Sequence, residues 1–276
     1  MGIWLLLGLG AVAAAVLAAL WRKAMDTKHA ETVWQALRAT RDPAPPLFDP
    51  ATLQDQPEIV RRFFAQAIAP GTPLHRVVEI TMTGEFILNG RALPMQASQI
   101  MAPPQGFVWR AKVGRGLFGF SGADGYLAGQ SSWMRFWLAG VVPLVRAGGT
   151  ADFARSAAAR MVLETLWNPA ALLPQFGARW QVVGPDLAAV RFDALPQIEP
   201  VMLRIDAEGR ITEAFTQRWS SANADKVYRL QPFGGHCRGW GSFHGFTIPT
   251  ELQAGNFFGT PQFVPFFVAR LTAMQV

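Results

Sequence analysis

The chain has 276 residues, half of them hydrophobic and only 16% charged, with a formal charge of +6 at pH 7. No middle stretch has the composition of a linker, which favours one large domain, and the apolar balance points to a membrane segment or an apolar hollow. The basic excess suits an anionic membrane surface, nucleic acid is excluded because aromatics and Lys/Arg do not cluster together, and the single Cys237 excludes an internal disulfide.

Residues 3–21 carry no charge and consist of Leu, Ala, Val, Gly, Ile and Trp, close to the ~20 apolar residues needed to cross a hydrocarbon core. No basic segment precedes the run, and Ala18-Ala19-Leu20-Trp21-Arg22-Lys23 is a poor cleavage site, so the expectation is an uncleaved single-pass anchor in a bacterial inner membrane. Arg22, Lys23 and Lys28 follow directly, and the positive-inside rule then places the domain on the cytoplasmic side, with the periplasmic side as the alternative. Residues 26–40, with Val33, Trp34 and Leu37, read as a helix continuing from the membrane, and Arg41-Asp42-Pro43-Ala44-Pro45-Pro46 reads as a stiff spacer. The expected organisation is an anchor over 1–22, a juxtamembrane helix and Pro-rich linker over 23–56, and a folded domain over 57–276.

That domain opens on an amphipathic helix, with Pro57 at its start and Ile59, Val60, Phe63, Phe64, Ala67 and Ile68 as its apolar face. From His75 the pattern changes to strands. Residues 77–88 and 91–101 flank Asn89-Gly90, the strongest short hairpin signal. Further strands are expected at 107–111, 117–121 and 126–138, with Ala123-Asp124-Gly125 read as a turn. Beyond residue 178 the expected strands are 179–183, 188–193, 201–206, 210–220, 226–231, 236–243, 246–254 and 262–273, spaced as in an antiparallel sheet that curls or closes.

Residues 151–173 form the one long helical pattern in this portion, with Asp152 as the expected N-cap and a break near Asn168 imposed by Pro169. A sheet packed on one helix is the natural solution. Arg160, Glu164 and Trp167 fall at i, i+4 and i+7 and share a side of the helix. Arg before Glu is the weaker order for a local pair, so tertiary partners are expected if both are buried. Two readings stay open: an ion pair locking helix to sheet, or a polar site in a ligand cavity.

Several segments carry a resemblance: Val60-Arg61-Arg62-Phe63-Phe64, Gly106-Phe107-Val108-Trp109, Ala123-Asp124-Gly125-Tyr126-Leu127-Ala128-Gly129, Gly245-Phe246-Thr247-Ile248-Pro249-Thr250, and above all the run from Arg160 through Trp167-Asn168-Pro169 to Leu173. From about Pro57 to the C-terminus the chain resembles an uncharacterised bacterial membrane-anchored family related in fold to the lipoprotein carriers and receptors of the LolA/LolB type. The resemblance implies an α+β fold, a strongly curved antiparallel half-barrel wrapped around a central helix, with an apolar hollow that receives acyl chains in the carriers. The chain departs from soluble carriers in keeping its anchor and in charge flanks that point the domain inward.

Among chemistry-bearing residues, His236, Cys237 and His244 are the only tempting metal group, and Cys237 would face away from the two histidines on a strand, so no metal is expected. Gly114-Arg115-Gly116-Leu117-Phe118-Gly119 spells a dinucleotide pattern but lies between strands and reads as a turn, and with no G-x-S-x-G, P-loop or H-E-x-x-H motif no cofactor is expected. The leading expectation is a membrane-anchored binding module for a lipid or other apolar molecule, lined by Trp109, Phe120, Tyr126, Trp133 and Trp167, with Asp124, Arg160, Glu164 and Arg218 as its polar groups. The rivals are a scaffold subunit with a filled core, bound to a membrane-protein partner, and an enzyme acting on a lipid-like substrate through Arg160, Glu164 and Asp124.

Overall fold

The structure, a computed structural model, describes residues 2–276. It contains α1 (Gly2–Arg38), α2 (Glu58–Ala67), β1 (Val78–Leu88), β2 (Arg91–Ala102), β3 (Gly106–Val113), β4 (Phe120–Leu127), β5 (Ser131–Leu138), β6 (Val142–Gly148), α3 (Ala151–Leu163), β7 (Ala178–Val182), β8 (Leu187–Phe192), β9 (Val201–Ile205), β10 (Ile211–Ser220), β11 (Arg229–Phe243), β12 (Phe246–Asn256) and β13 (Val264–Gln275). All the strands join one 13-stranded antiparallel sheet.

The strand order explains the position of α3. β1 to β6 form one meander and β7 to β13 a second, and the two are joined where the first strand pairs with the last. Strands β6 and β7 are therefore the two outer edges, and the chain between them must cross a whole face of the sheet. That crossing is α3, a 3₁₀ turn over Glu164–Trp167, Asn168 at φ −135° and ψ 73°, and a second 3₁₀ turn over Pro169–Leu172. The break falls at Asn168, where Pro169 can neither donate a hydrogen bond nor tolerate helical angles before it. The N-cap is Thr150, whose hydroxyl accepts from Phe153 N–H, rather than Asp152, which accepts from the Trp219 indole 2.7 Å away.

The Asn89-Gly90 hairpin forms as expected, both residues having positive φ as a type I′ turn requires. Several boundaries differ from the expectation, and the strand expected at 117–121 is a 3₁₀ turn over Gly116–Phe118 followed by the start of β4 at Phe120. Residues 126–138 divide at Ala128-Gly129-Gln130 into the end of β4 and the whole of β5. Strand β6 is not among the expected strands; it lies at the edge of the sheet, where its Pro143 is tolerated. The two strands expected at 226–231 and 236–243 are one, β11.

The sheet buries both faces. The face under α3 and α2 carries the main core, including Phe64, Met101, Phe107, Leu166, Trp167 and Phe246. Residues 26–38 of α1 cover the other face, where Ala30, Val33, Trp34 and Leu37 pack on Val77, Ile100, Val108 and Trp133. The chain between the expected spacer at 41–46 and α2 is packed too, with Phe48 and Leu53 in the main core. In contrast, the apolar first half of α1 stands away from the sheet, one helix long and apolar enough to cross a membrane.

Candidate functional site

Between α3 and the sheet lies a cavity of about 410 Å³ that draws its wall from both meanders, with Phe86, Phe107, Trp109, Phe120, Phe136, Phe153, Phe266 and Phe267 among its lining. Its polar contribution comes from Asp124, Arg160, Glu164, Arg218 and Ser156. A second hollow of about 420 Å³ lies between α1 and the sheet, but its lining is more polar, with Lys23, Asp26, Thr27, Gln96, Ser98, Arg110, Lys112 and Arg135, and its aromatic residues are two, Trp133 and Trp137.

The charged group assembles from four elements. Arg160 comes from the last turns of α3, Glu164 from the 3₁₀ turn after it, Asp124 from the centre of β4 and Arg218 from β10. Arg160 donates from Nη1 to Asp124 Oδ2 at 2.5 Å and from Nε to Glu164 Oε1 at 2.7 Å. Gln99 on β2, fully buried, donates to the other oxygen of Glu164 at 2.6 Å. Arg160 also lies over the rings of Phe107 and Trp109, 5.0 and 5.2 Å from their centroids. The helix places Arg160 and Glu164 on one side, and the sheet brings the partners that the unfavourable local order called for.

Arg218 differs from Arg160. It donates from Nε to the backbone oxygen of Ser156 at 3.1 Å and lies 4.6 Å above the Phe233 ring, with no carboxylate within salt-bridge distance among the described residues. Burial, reinforced by the nearby Arg160 charge, pulls its guanidinium down to about 10, so it remains a cation at neutral pH. Burial also raises the Asp124 carboxyl above the ordinary carboxylate range, more than the Arg160 charge lowers it. For Arg160 burial opposes the charge, but Asp124 and Glu164 outweigh it and hold the guanidinium above its usual value. Asp124 Oδ1 is buried without a hydrogen-bond partner, an acceptor in the cavity wall whose desolvation is uncompensated.

Of the expected lining residues, Trp109 and Phe120 border this cavity, and Trp133 reaches its edge while its ring packs on the other face of the sheet against His29 of α1. Tyr126 and Trp167 do not reach it. Both are packed in the core, and the Trp167 indole donates to the Pro249 oxygen at 3.1 Å. All four expected polar residues border the cavity. Gln99 was missed, although a glutamine alternating with Met95, Ala97 and Met101 on the inward side of β2 was a readable signal.

The Ala123-Asp124-Gly125 stretch is a strand and not the expected turn. The glycines on either side of Ala123-Asp124 serve close approach: a Cβ on Gly122 would lie 2.0 Å from the Arg135 oxygen, and one on Gly125 2.4 Å from the Trp133 ring. Asp124 thereby sits mid-strand, facing Arg160. Among the described residues no group of His, Cys, Asp and Glu is arranged to hold a metal ion. His236 faces Glu213 at 3.4 Å, His244 bonds the Met274 oxygen, and Cys237 is buried.

Among solved structures, the chain is similar to a LolA superfamily protein from Nitrosomonas europaea, at 10% identity and a TM-score of 0.39, over 79% of this chain and 91% of that one. No curated protein matches. The model of a family of unknown function, DUF6544, matches residues 46–268, a span holding β1 to β12, the start of β13, α3 and every charged residue of the cavity, and the chain belongs to that family.

Proposed function

We propose that this protein is a membrane-anchored binding module that holds a lipid or other apolar molecule in the cavity between α3 and the sheet, the sheet curving around α3 as a half-barrel. The observation that carries the reading is an aromatic-walled cavity of about 410 Å³ with ionised groups in its wall. Its size lies in the range of small-molecule sites, about 300–1,000 Å³. The apolar wall suits a hydrocarbon body, and Arg218, the cation without a carboxylate partner, suits an acidic head such as a carboxylate or phosphate. Residues 3–21 serve as the anchor, and Arg22, Lys23 and Lys28 favour a cytoplasmic position for the domain.

Native mass spectrometry of the detergent-extracted protein tests the reading. The expected result is an adduct of lipid mass that is lost when Trp109 and Phe120 give way to smaller residues. Repeated recovery of the bare chain, with added long-chain fatty acid failing to bind, would sink it.

A further inference from the structure

Antiparallel pairing of consecutive strands puts the β1–β2, β3–β4 and β5–β6 turns at one end of the sheet. They touch one another there: Ala139 N–H donates to the Gly119 oxygen at 2.8 Å, and the Phe86 and Phe120 rings lie 6.2 Å apart. Leu88 and Leu144 both border the cavity and are exposed, so the cavity reaches the surface at this end.

Helix α1 leaves the sheet at the same end. Arg38, at its C-terminus, pairs with Glu79 at the start of β1, the opposite end of the sheet. Twelve residues earlier Asp26 pairs with Arg135 and Arg146, and Lys23 lies at the β5–β6 turn, where a Cβ on Gly140 would be 2.9 Å from its Nζ. Trp21, the last residue of the apolar run, is only two residues further, a rise of about 3 Å. The helix is unbroken from Gly2 to Arg38, so it fixes the height of these turns relative to the apolar run.

The turn tips suit that position. Leu117 is 79% and Phe118 84% exposed in the β3–β4 turn, and Val142 is exposed at the β5–β6 turn, apolar side chains whose exposure is unfavourable in water. The charged residues within the three turn segments 88–91, 114–119 and 138–142 are Arg91 and Arg115, both basic, which suits anionic headgroups.

We infer that this end of the sheet is seated on the bilayer that holds α1, with Leu117 and Phe118 inserted, so that the cavity opens against lipid. The inference rests on reading α1 as a membrane anchor. It deepens the proposed function by naming the bilayer itself as the source of the ligand.

The test uses the full chain in vesicles of phosphatidylcholine and phosphatidylglycerol, with an environment-sensitive fluorophore on single introduced cysteines and brominated lipid as quencher. Cys237 stays unlabelled, being buried with its thiol pushed up to about 12 by that burial. The positions are Leu9→Cys in the apolar run, Phe118→Cys or Leu117→Cys at the tip, and Ala207→Cys in the β9–β10 turn at the far end. Labels at 9 and at 117 or 118 are expected to shift to the blue and be quenched, and the label at 207 to do neither. Quenching at 9 with both tip labels behaving like 207 overturns the seating and leaves the anchor standing. Absence of quenching at 9 overturns both.

Discussion

The Arg160 guanidinium and the Asp124 carboxylate, 36 residues apart in sequence, meet at 2.5 Å with little of either side chain exposed. The same guanidinium serves Glu164, so one cation compensates two buried carboxylates. Arg160→Met would leave both without it. Removing one partner of a buried ion pair costs about 3–5 kcal/mol, because the remaining charge stays desolvated. Urea denaturation should show a loss of that order, and Asp124→Asn with Glu164→Gln in the same chain should recover part of it. A midpoint unchanged by Arg160→Met would mean that the cluster contributes nothing to the fold.

Arg218 has a different expected signature, since its own partner is a backbone oxygen. Arg218→Gln keeps a donor and removes the charge. Binding of a long-chain fatty acid should weaken about tenfold, the worth of a charge-assisted hydrogen bond, whereas the fatty alcohol of the same chain length should bind as before. Fluorescence displacement with the two ligands separates the outcomes. Equal losses for both would show that Arg218 shapes the cavity and does not read the head.

Local chemistry made much of this legible in the sequence. Helical spacing put Arg160 and Glu164 on one side, Pro169 marked the break, and Asn89-Gly90 fixed a hairpin register. Asp124 was harder because a Gly beside an Asp reads as a turn. Its glycines answer instead to Arg135 and Trp133 on the neighbouring strand, and no local pattern reports such a contact. The crossing of the sheet by α3 was hidden for the same reason. It follows from β1 pairing with β13, residues nearly the length of the domain apart. Residues 26–38 showed a helix but gave no sign that its apolar side covers a second face of the sheet.

That second face gives a prediction about truncation. Removing residues 1–22 deletes the exposed apolar run and leaves Ala30, Val33, Trp34 and Leu37 in place on Val77, Ile100, Val108 and Trp133. Removing residues 1–40 strips that cover. Each large apolar side chain lost is worth roughly 1.5–3 kcal/mol of burial, and the uncovered strands present an apolar patch to water. The shorter truncation should give a soluble, cooperatively melting domain, and the longer one should aggregate or melt well below it. Equal melting temperatures by calorimetry would show that α1 is dispensable to the domain.

The contact between α1 and the sheet should also be labile in acid. Glu79 is bonded by Arg38 at 2.6 Å and Arg41 at 2.7 Å, and Asp26 by Arg135 at 3.2 Å and by Arg146. Burial pushes both carboxyls up, but the arginines outweigh it and hold them below their ordinary values of 4.5 and 3.8. A carboxylate whose folded pKa is depressed contributes stability that is present above the unfolded value and lost as pH falls through the folded one. The contact should therefore be at full strength above about pH 5 and weaken progressively below about pH 4. Hydrogen exchange over residues 26–38, corrected for the intrinsic pH dependence, should show protection falling in that window. In Glu79→Gln the fall should be smaller and start from a lower protection at neutral pH. Protection that holds to pH 2 in the unmodified chain would show that apolar packing alone keeps α1 on the sheet.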